Sequence, residues 1–226
     1  MAHAFFLGVD LDGAASDDSF GATLTILEKE KEQSDAQASF RLDHARRHRD
    51  VDSLDELADH VQGLIAERPY IGRTSLVVNR ASADGEALVD ALSDRGLDPV
   101  AATLTEGSGS VPGERDEVGV SLGTADAVRT LAELYRDRRF GIDDHSSEAA
   151  SELARGVQRA SEVLDEADGN QDTPEAAGST LEALNNVDTT VASAALAAWV
   201  GTERSFDPSQ HLKEDPHAGR DGSLGG

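Results

Sequence analysis

The chain has 226 residues, of which 38% are hydrophobic, and this is enough for one domain with a sizeable core and a tail. Acidic residues outnumber basic ones 44 to 20, and the formal net charge of -24 suits a cytoplasm rich in salt, where counterions screen the self-repulsion of a compact protein. Cys is absent, which excludes disulfides, thiolate zinc sites and thiol nucleophiles.

Other interpretations of this composition have to be weighed. High charge with 4% aromatic residues is also typical of disordered chains, but the hydrophobic residues fall in periodic blocks, which favours a folded domain. An ordinary acidic protein from a low-salt cell is the alternative to a salt-adapted one. Gly8 and Asp10 interrupt the first apolar run, and no window approaches ~20 apolar residues, so we expect a cytoplasmic protein without signal peptide or membrane contact.

The first third of the chain predicts three strands. Phe5 to Asp10 is a short apolar run that predicts a buried strand, and Ser19 to Glu28 alternates apolar and polar residues with a period of two. Lys29 to Asp35 is a charged hairpin loop, after which Ala36 to Asp43 can return as a third strand. These strands would form an antiparallel meander.

Helices and strands alternate in the rest of the chain. Ser53 and Glu56 form a capping box for a helix that runs to Pro69, and the β-branched run Thr74 to Asn79 predicts an interior parallel strand. The later elements, in order, are a helix at Gly85 to Arg95, a strand at Val100 to Leu104, a mobile loop at Thr105 to Gly119, a helix at Thr124 to Tyr135, a short extended piece at Arg139 to Ile142, a helix at Ser147 to Asp165, an irregular stretch at Gly169 to Ser179 and an Ala-rich helix at Val187 to Val200. We therefore predict one domain, residues 1–201, and a disordered acidic and Gly-rich tail, residues 202–226.

This order of elements predicts an α/β fold with a mixed sheet. The general alternative is a doubly wound fold, in which helices separate the first strands. The segment from Asp10 to Ala36 has no room for a helix with convincing periodicity. The meander therefore favours a sheet that begins antiparallel and continues parallel.

Carboxylates end the first predicted strand. Asp10 and Asp12 follow its apolar residues, and the carboxyl end of a central strand is where α/β sheets bind their ligands. Hard cations such as Mg²⁺ prefer carboxylate oxygens. An Asp in this place is also a common turn residue, so its position alone leaves both roles open.

Three further tracts share order and spacing with a known family. Leu76-Val77-Val78-Asn79 leads into a Gly-bearing turn at Gly85 and a helix, and the Gly96-Leu97 break precedes the next strand. Near the end, Asn186-Val187-Asp188-Thr189 precedes the Ala-rich helix. With the first strand, these tracts resemble the nuclease domain of tailed-phage terminase large subunits, which belongs to the ribonuclease-H-like superfamily.

The resemblance implies a ribonuclease-H-like fold, with a five-stranded mixed sheet of three antiparallel strands followed by parallel strands, flanked by helices. It also implies two Mg²⁺ or Mn²⁺ ions held by carboxylates from the first strand, the fourth strand and a late helix. In such sites one ion activates water and the other stabilises the leaving oxygen of the phosphodiester. The matching positions here are Asp10, Asn79 and Asp188, with Asp10 and Asp188 as the catalytic pair.

Several positions depart from the family pattern. Asn79 offers a neutral amide oxygen where the family has a charged Asp, which weakens ion binding. Thr189 replaces a second Asp of the late motif, and Thr124 stands where the family often has Lys. Asp84, Asp12 or Glu86 could act as a replacement ligand if the loop after the fourth strand folds back. We therefore predict weak or absent nuclease activity.

Each candidate ligand also has an ordinary structural role to be weighed. Asp10 could cap a turn, and Asn79 could bond its own backbone in an Asx-turn as the strand ends. Asp188 could be an N-terminal helix residue that the helix dipole favours. These roles need no metal.

Two basic clusters interrupt the acidic sequence. In a protein with so few cationic residues, such clusters predict contacts with DNA phosphates. Ion pairing with neighbouring Asp residues is the alternative. The predicted nucleic-acid contacts are Arg41, Arg46, Arg47 and Arg49 in the first cluster and Arg136, Arg138 and Arg139 in the second.

Three functions follow as hypotheses. The resemblance implies a nuclease-type domain of phage or provirus origin that acts in DNA packaging or processing. The second hypothesis is a non-catalytic module on the same fold that binds DNA or a phage packaging protein. The third is a salt-tolerant hydrolase of unrelated substrate. A packaging ATPase is not expected within the chain, because it has no Gly-Lys-Ser or Gly-Lys-Thr tract.

Overall fold

The computed structural model describes residues 4–16, 19–30, 38–106, 110–112, 119–142, 147–169, 180 and 182–203. Most of the predicted Lys29 to Asp35 hairpin loop and of the Gly169 to Ser179 stretch lies outside these residues, as does the predicted tail beyond residue 203. Three long strands come first, as the sequence predicts: β1 (Ala4–Ser16), β2 (Ser19–Glu30) and β3 (Ser39–Val51).

Five further strands and five long helices follow within the described chain. The strands are β4 (Thr74–Asn79), β5 (Val100–Thr105), β6 (Ser110–Pro112), β7 (Val120–Gly123) and β8 (Phe140–Gly141). The helices are α1 (Leu54–Ala66), α2 (Ala83–Asp94), α3 (Thr124–Arg136), α4 (Glu148–Gly169) and α5 (Thr189–Glu203).

All of these strands form one mixed sheet in the order β6-β7-β5-β4-β1-β2-β3-β8. β2 pairs antiparallel with both β1 and β3, whereas β1, β4, β5 and β7 are successively parallel. The five central strands therefore have the order 3-2-1-4-5, with only the second reversed. This is the ribonuclease-H-like arrangement, and the predicted fold class is confirmed.

The sheet is larger than the five strands expected. β8 adds to the outer edge of β3 and corresponds to the short extended piece predicted there, while β7 and β6 extend the other edge. The prediction of a loop at Thr105 to Gly119 is wrong at Ser110–Pro112, because these residues form β6 and pair with β7. β3 also runs on to Val51, beyond the predicted end at Asp43. The basic segment after Asp43 has no apolar alternation, and its pairing with Phe20 to Ile26 of β2 makes it a strand.

The sheet is covered on both faces, as the two-sided apolar pattern of β1 requires. Phe5, Leu7 and Val9 pack with α1 and α2, whereas Phe6 faces the opposite side, which α3, α4 and α5 cover. Ser53 caps α1 by accepting a hydrogen bond from the backbone N–H of Glu56, so the predicted helix start is confirmed.

α5 lies directly on the centre of the sheet. Its residues are apolar or small on nearly every side and are buried, as expected of a helix inside a core. Gly8 makes this close approach possible, because a Cβ at that position would lie 1.9 Å from the backbone oxygen of Ser193. The start of α5 is thereby placed beside the carboxyl end of β1.

Candidate functional site

Polar side chains gather where β1 and β4 end and α5 begins. Asp10, Thr23 and Arg47 lie in register across β1, β2 and β3 and so point to the same face of the sheet. The Thr23 hydroxyl lies 3.0 Å from the hydroxyl of Thr189, in the first turn of α5. The structure therefore brings together the three segments that carry Asp10, Asn79 and Asp188.

Asn79 contacts Asp10 directly. Its side-chain Nδ2 donates a hydrogen bond to Asp10 Oδ1 at 2.7 Å. Its Oδ1 accepts from the backbone N–H groups of Ala81, at 3.1 Å, and Leu104, at 3.3 Å. Because a backbone N–H can only donate, these two contacts fix the amide with its oxygen towards the backbone and its nitrogen towards Asp10.

The turn after β4 keeps Asn79 in this place. A Cβ at Gly85 would lie 2.2 Å from the backbone oxygen of Asn79, so the first turn of α2 can approach β4 only with Gly there. Ser82 caps α2 by accepting from the N–H of Gly85. The Gly-bearing turn noted in the sequence is thus a packing requirement of the strand end.

Asp10 is a buried carboxyl group in an unfavourable setting. Only 5% of the residue is exposed, and burial raises its pKa from the ordinary 3.8 to about 6. The hydrogen bond from Asn79 lowers this pKa, while the negative charges of Asp12 and Asp188 raise it. The amide therefore only partly offsets the cost of holding this charge inside the protein.

Asp12 is paired with a cation of the protein itself. Arg47 Nη2 donates to Asp12 Oδ2 at 2.6 Å, and Arg47 Nη1 lies 3.7 Å from Glu152 Oε2 on α4. The hydrogen bond to Asp12, followed by the charges of Asp12, Glu152 and Asp188, raises the pKa of Arg47, while burial lowers it. Glu152 is a member of this site that no sequence motif identifies.

Asp188 and Asp84 serve as helix-start residues. Asp188 is exposed, and its Oδ1 accepts from the N–H groups of Thr190, at 2.9 Å, and Val191, at 3.1 Å, at the start of α5. This is the ordinary capping role weighed for it in the sequence. Asp84 is exposed in the first turn of α2, and no contact with Asp10 is found in the described part of the chain.

The residues present do not fit a bound pair of divalent ions. A metal needs oxygen lone pairs, but Asn79 turns N–H groups towards Asp10, Arg47 bonds Asp12, and Asp188 bonds its own helix start. Within the described residues, no group of three or more His, Asp or Glu side chains is placed to hold a metal ion. Asp10, Asp12, Asn79, Asp84 and Asp188 therefore remain predicted ligands that this geometry does not favour.

The predicted nucleic-acid contacts are placed on different faces, and most have partners. Those with partners are Arg41 with Glu28 and Glu30, Arg47 with Asp12 and Glu152, Arg49 with Glu148, Arg136 with Asp165, and Arg139 with the backbone oxygen of Ala38. Arg46 and Arg138 are exposed, and neither has an ion-pair partner among the described residues. Of the seven predicted contacts, these two are the side chains best placed to meet an anion.

A second polar groove lies on the opposite face of β3. Arg46 and His48 of β3, with Glu56 and His60 of α1, line a cavity of about 290 Å³. The His48 and His60 rings meet edge to face with centroids 4.8 Å apart. Burial, followed by the charges of His60, Arg46 and His44, lowers the pKa of His48 to about 4. The sequence carries no signal for this groove, because the basic second half of β3 has no apolar alternation.

Comparisons by sequence and by structure give different results. Sequence searches match no family model and no curated protein. Among solved structures, the chain matches the human cytomegalovirus terminase nuclease domain in a manganese-soaked, inhibitor-bound form, at 13% identity and a TM-score of 0.48, over 88% of this chain and 84% of that chain. The fold assignment rests on the strand order described above, which defines a ribonuclease-H-like α/β domain. None of the helices described here has the length and apolar character to span a membrane.

Proposed function

We propose that this domain is a nuclease-type scaffold that binds DNA or a packaging protein without cutting phosphodiester bonds. The single observation that supports this is the amide of Asn79, whose nitrogen faces Asp10 and whose oxygen is held by two backbone N–H groups. Phage or provirus origin, a role in DNA packaging or processing and a salt-rich cytoplasm belong to the same proposal.

The chemistry of phosphodiester cleavage explains why this amide matters. Ribonuclease-H-like enzymes use divalent ions to activate water and to stabilise the leaving oxygen, and both ions need shared carboxylate ligands. Here the inner carboxylate, Asp10, is 5% exposed and already bonded to N–H donors, while Asp12 is bonded to Arg47. Without an ion between them, acidic side chains repel a phosphate.

Metal-dependent cleavage is the alternative, and one observation favours it. The charges of Asp12 and Asp188 both raise the pKa of Asp10, so the pocket keeps an excess of negative charge that a divalent ion would relieve. The alternative requires Asn79 to turn its oxygen away from the backbone, or Asp12 to leave Arg47.

Cleavage of supercoiled plasmid separates the two functions. The wild type and the Asp10→Ala variant would be incubated with plasmid in molar KCl, because the net charge of -24 calls for a high ionic strength, with Mg²⁺ or Mn²⁺. We expect intact plasmid in every sample. Cutting by the wild type that Asp10→Ala abolishes would establish the nuclease and refute the proposal.

Binding to labelled duplex DNA, measured by fluorescence anisotropy, tests whether the partner of the domain is DNA. The exposed Arg46 is the residue to change, because it has no ion-pair partner among the described residues and lies on the face away from Asp10. Salt-dependent binding that Arg46→Glu weakens and Asp10→Ala leaves unchanged would identify DNA as the partner. If the wild type did not bind the DNA at any ionic strength, a packaging protein would be favoured as the partner.

A further inference from the structure

One guanidinium group is shared by the carboxylates of this site. Arg47 extends from β3 across the α5 face of the sheet to bond Asp12 of β1 at 2.6 Å and to approach Glu152 of α4 at 3.7 Å. The charge of Asp188, at the start of α5, also acts on it. A single cation therefore connects β1 with α4 and lies within the electrostatic influence of the start of α5.

This ion pair differs from an ordinary surface pair on the same strand. The Arg47 and Asp12 side chains are each 30% exposed and Glu152 is 22% exposed, whereas the Arg49–Glu148 pair is 61% and 69% exposed. Solvent screens the second pair far more strongly, and such pairs contribute little to stability. Arg47 thus has the partial burial and the number of partners that a structural counter-ion needs.

The surrounding charges show why a counter-ion is required. Asp10 and Asp12 of β1, Asp188 before α5 and Glu152 of α4 come from three segments that lie on one face of the sheet. Like charges that lie close together in a partly buried site destabilise the fold unless a positive group lies among them. In the described chain, Arg47 is the cationic side chain that contacts Asp12 and Glu152, and the Asn79 amide donates to Asp10.

We infer that Arg47 is a resident counter-cation that holds this acidic pocket closed in the place of a divalent ion. The inference builds on the proposed function, since it explains why a site of this kind does without metal. Arg47 bonds Asp12 and the Asn79 amide bonds Asp10, so N–H groups occupy one oxygen of each of these two carboxylates, where a divalent ion would otherwise bind.

Mn²⁺ binding in the full chain tests this inference. Free Mn²⁺ gives an electron paramagnetic resonance signal that disappears on binding, and it would be titrated with protein in molar KCl. The variants are Arg47→Met, which removes the charge and keeps an unbranched side chain, Arg47→Met combined with Asn79→Asp, and Arg46→Met as the matched control. Arg46 is the neighbouring arginine on the other face of β3.

We expect Arg47→Met to bind Mn²⁺ roughly tenfold or more tightly than the wild type, since it removes one positive charge next to the ion. The double variant is expected to bind more tightly still, because a second carboxylate then faces Asp10. Arg46→Met should match the wild type. Equal binding by the wild type, Arg46→Met and a folded Arg47→Met overturns the inference.

A folding defect in Arg47→Met has its own control. Adding Asp12→Asn removes the charge that Arg47 compensates, so recovery of folding, seen by circular dichroism, supports the counter-cation. Continued unfolding shows that Arg47 acts through packing and overturns it. The proposed function fails on a different result, plasmid cutting by the wild type, so the two failures are distinguishable.

Discussion

Replacing Asp10 by Asn should make the protein more stable at neutral pH and remove a defined part of its pH dependence. Asp10 is buried beside two other carboxylates, and its pKa is about 6 in the folded protein against an ordinary value of 3.8. The folded state therefore binds a proton more tightly than the unfolded state does. Stability from this group is fully present below pH 3.8 and is lost as the pH rises through about 6.

The size of the effect follows from the same values. Each pKa unit corresponds to 1.36 kcal/mol, so the interval from 3.8 to about 6 amounts to about 3 kcal/mol. The amide that Asp10→Asn introduces cannot titrate, yet its oxygen can still accept the hydrogen bond from Asn79. The difference in unfolding free energy between variant and wild type should grow by about 3 kcal/mol from about pH 4 to about pH 7.

Urea unfolding in molar KCl, followed by circular dichroism across this pH range, measures the difference. Asp90→Asn is the matched control, because Asp90 is exposed on α2, away from the pocket. The unfolding free energy of Asp90→Asn should change with pH in parallel with that of the wild type. If Asp10→Asn also ran parallel, Asp10 would not be held at an elevated pKa, and the electrostatic description of the pocket would be refuted.

Two further predictions concern other parts of the fold. The pKa of His48 is lowered from 6.5 to about 4, so the wild type should lose stability as the pH falls from 6.5 towards about 4. His48→Phe should remove that loss in the same urea assay. If the variant lost as much stability as the wild type over this pH range, the prediction would be contradicted. Gly8→Ala places a Cβ 1.9 Å from the Ser193 oxygen and should cost about 3 kcal/mol or more, with a lower Tm. Gly63→Ala, which meets nothing within 4 Å in the middle of α1, should stabilise by about 0.5 to 1 kcal/mol, and equal effects of the two changes would show that α5 does not pack on Gly8.

The order of strands and helices could be predicted because each element carries a local signal. The two-sided apolar run of β1 indicated a central strand, and the Ser53 cap marked the start of α1. β3 was predicted too short because its second half, with Arg46 to Arg49, has no apolar alternation. Its strand conformation comes from pairing with β2, and this tertiary contact leaves no pattern in the local sequence.

The members of the site could be predicted in part, but their interactions could not. Asp10, Asn79 and Asp188 stand at element ends, which a sequence reveals. The direction of the Asn79 amide depends on the backbone N–H of Leu104, in the neighbouring strand β5, which no spacing rule brings next to it. Glu152 likewise joins the site only because α4 lies beside Arg47.

The proposed metal exclusion and the proposed DNA binding belong to opposite faces of β3. Arg47 points to the α5 face and is bonded to Asp12, while Arg46 lies in the groove with His48 and His60 on the α1 face. A phosphate that approaches the pocket on the first face meets carboxylates whose counter-charge is already engaged, so the proposed DNA contact through Arg46 is assigned to the second face. Changes at Arg47 should therefore alter Mn²⁺ binding and leave DNA affinity unchanged, and changes at Arg46 should do the reverse. If one variant altered both, the two faces would act as one site.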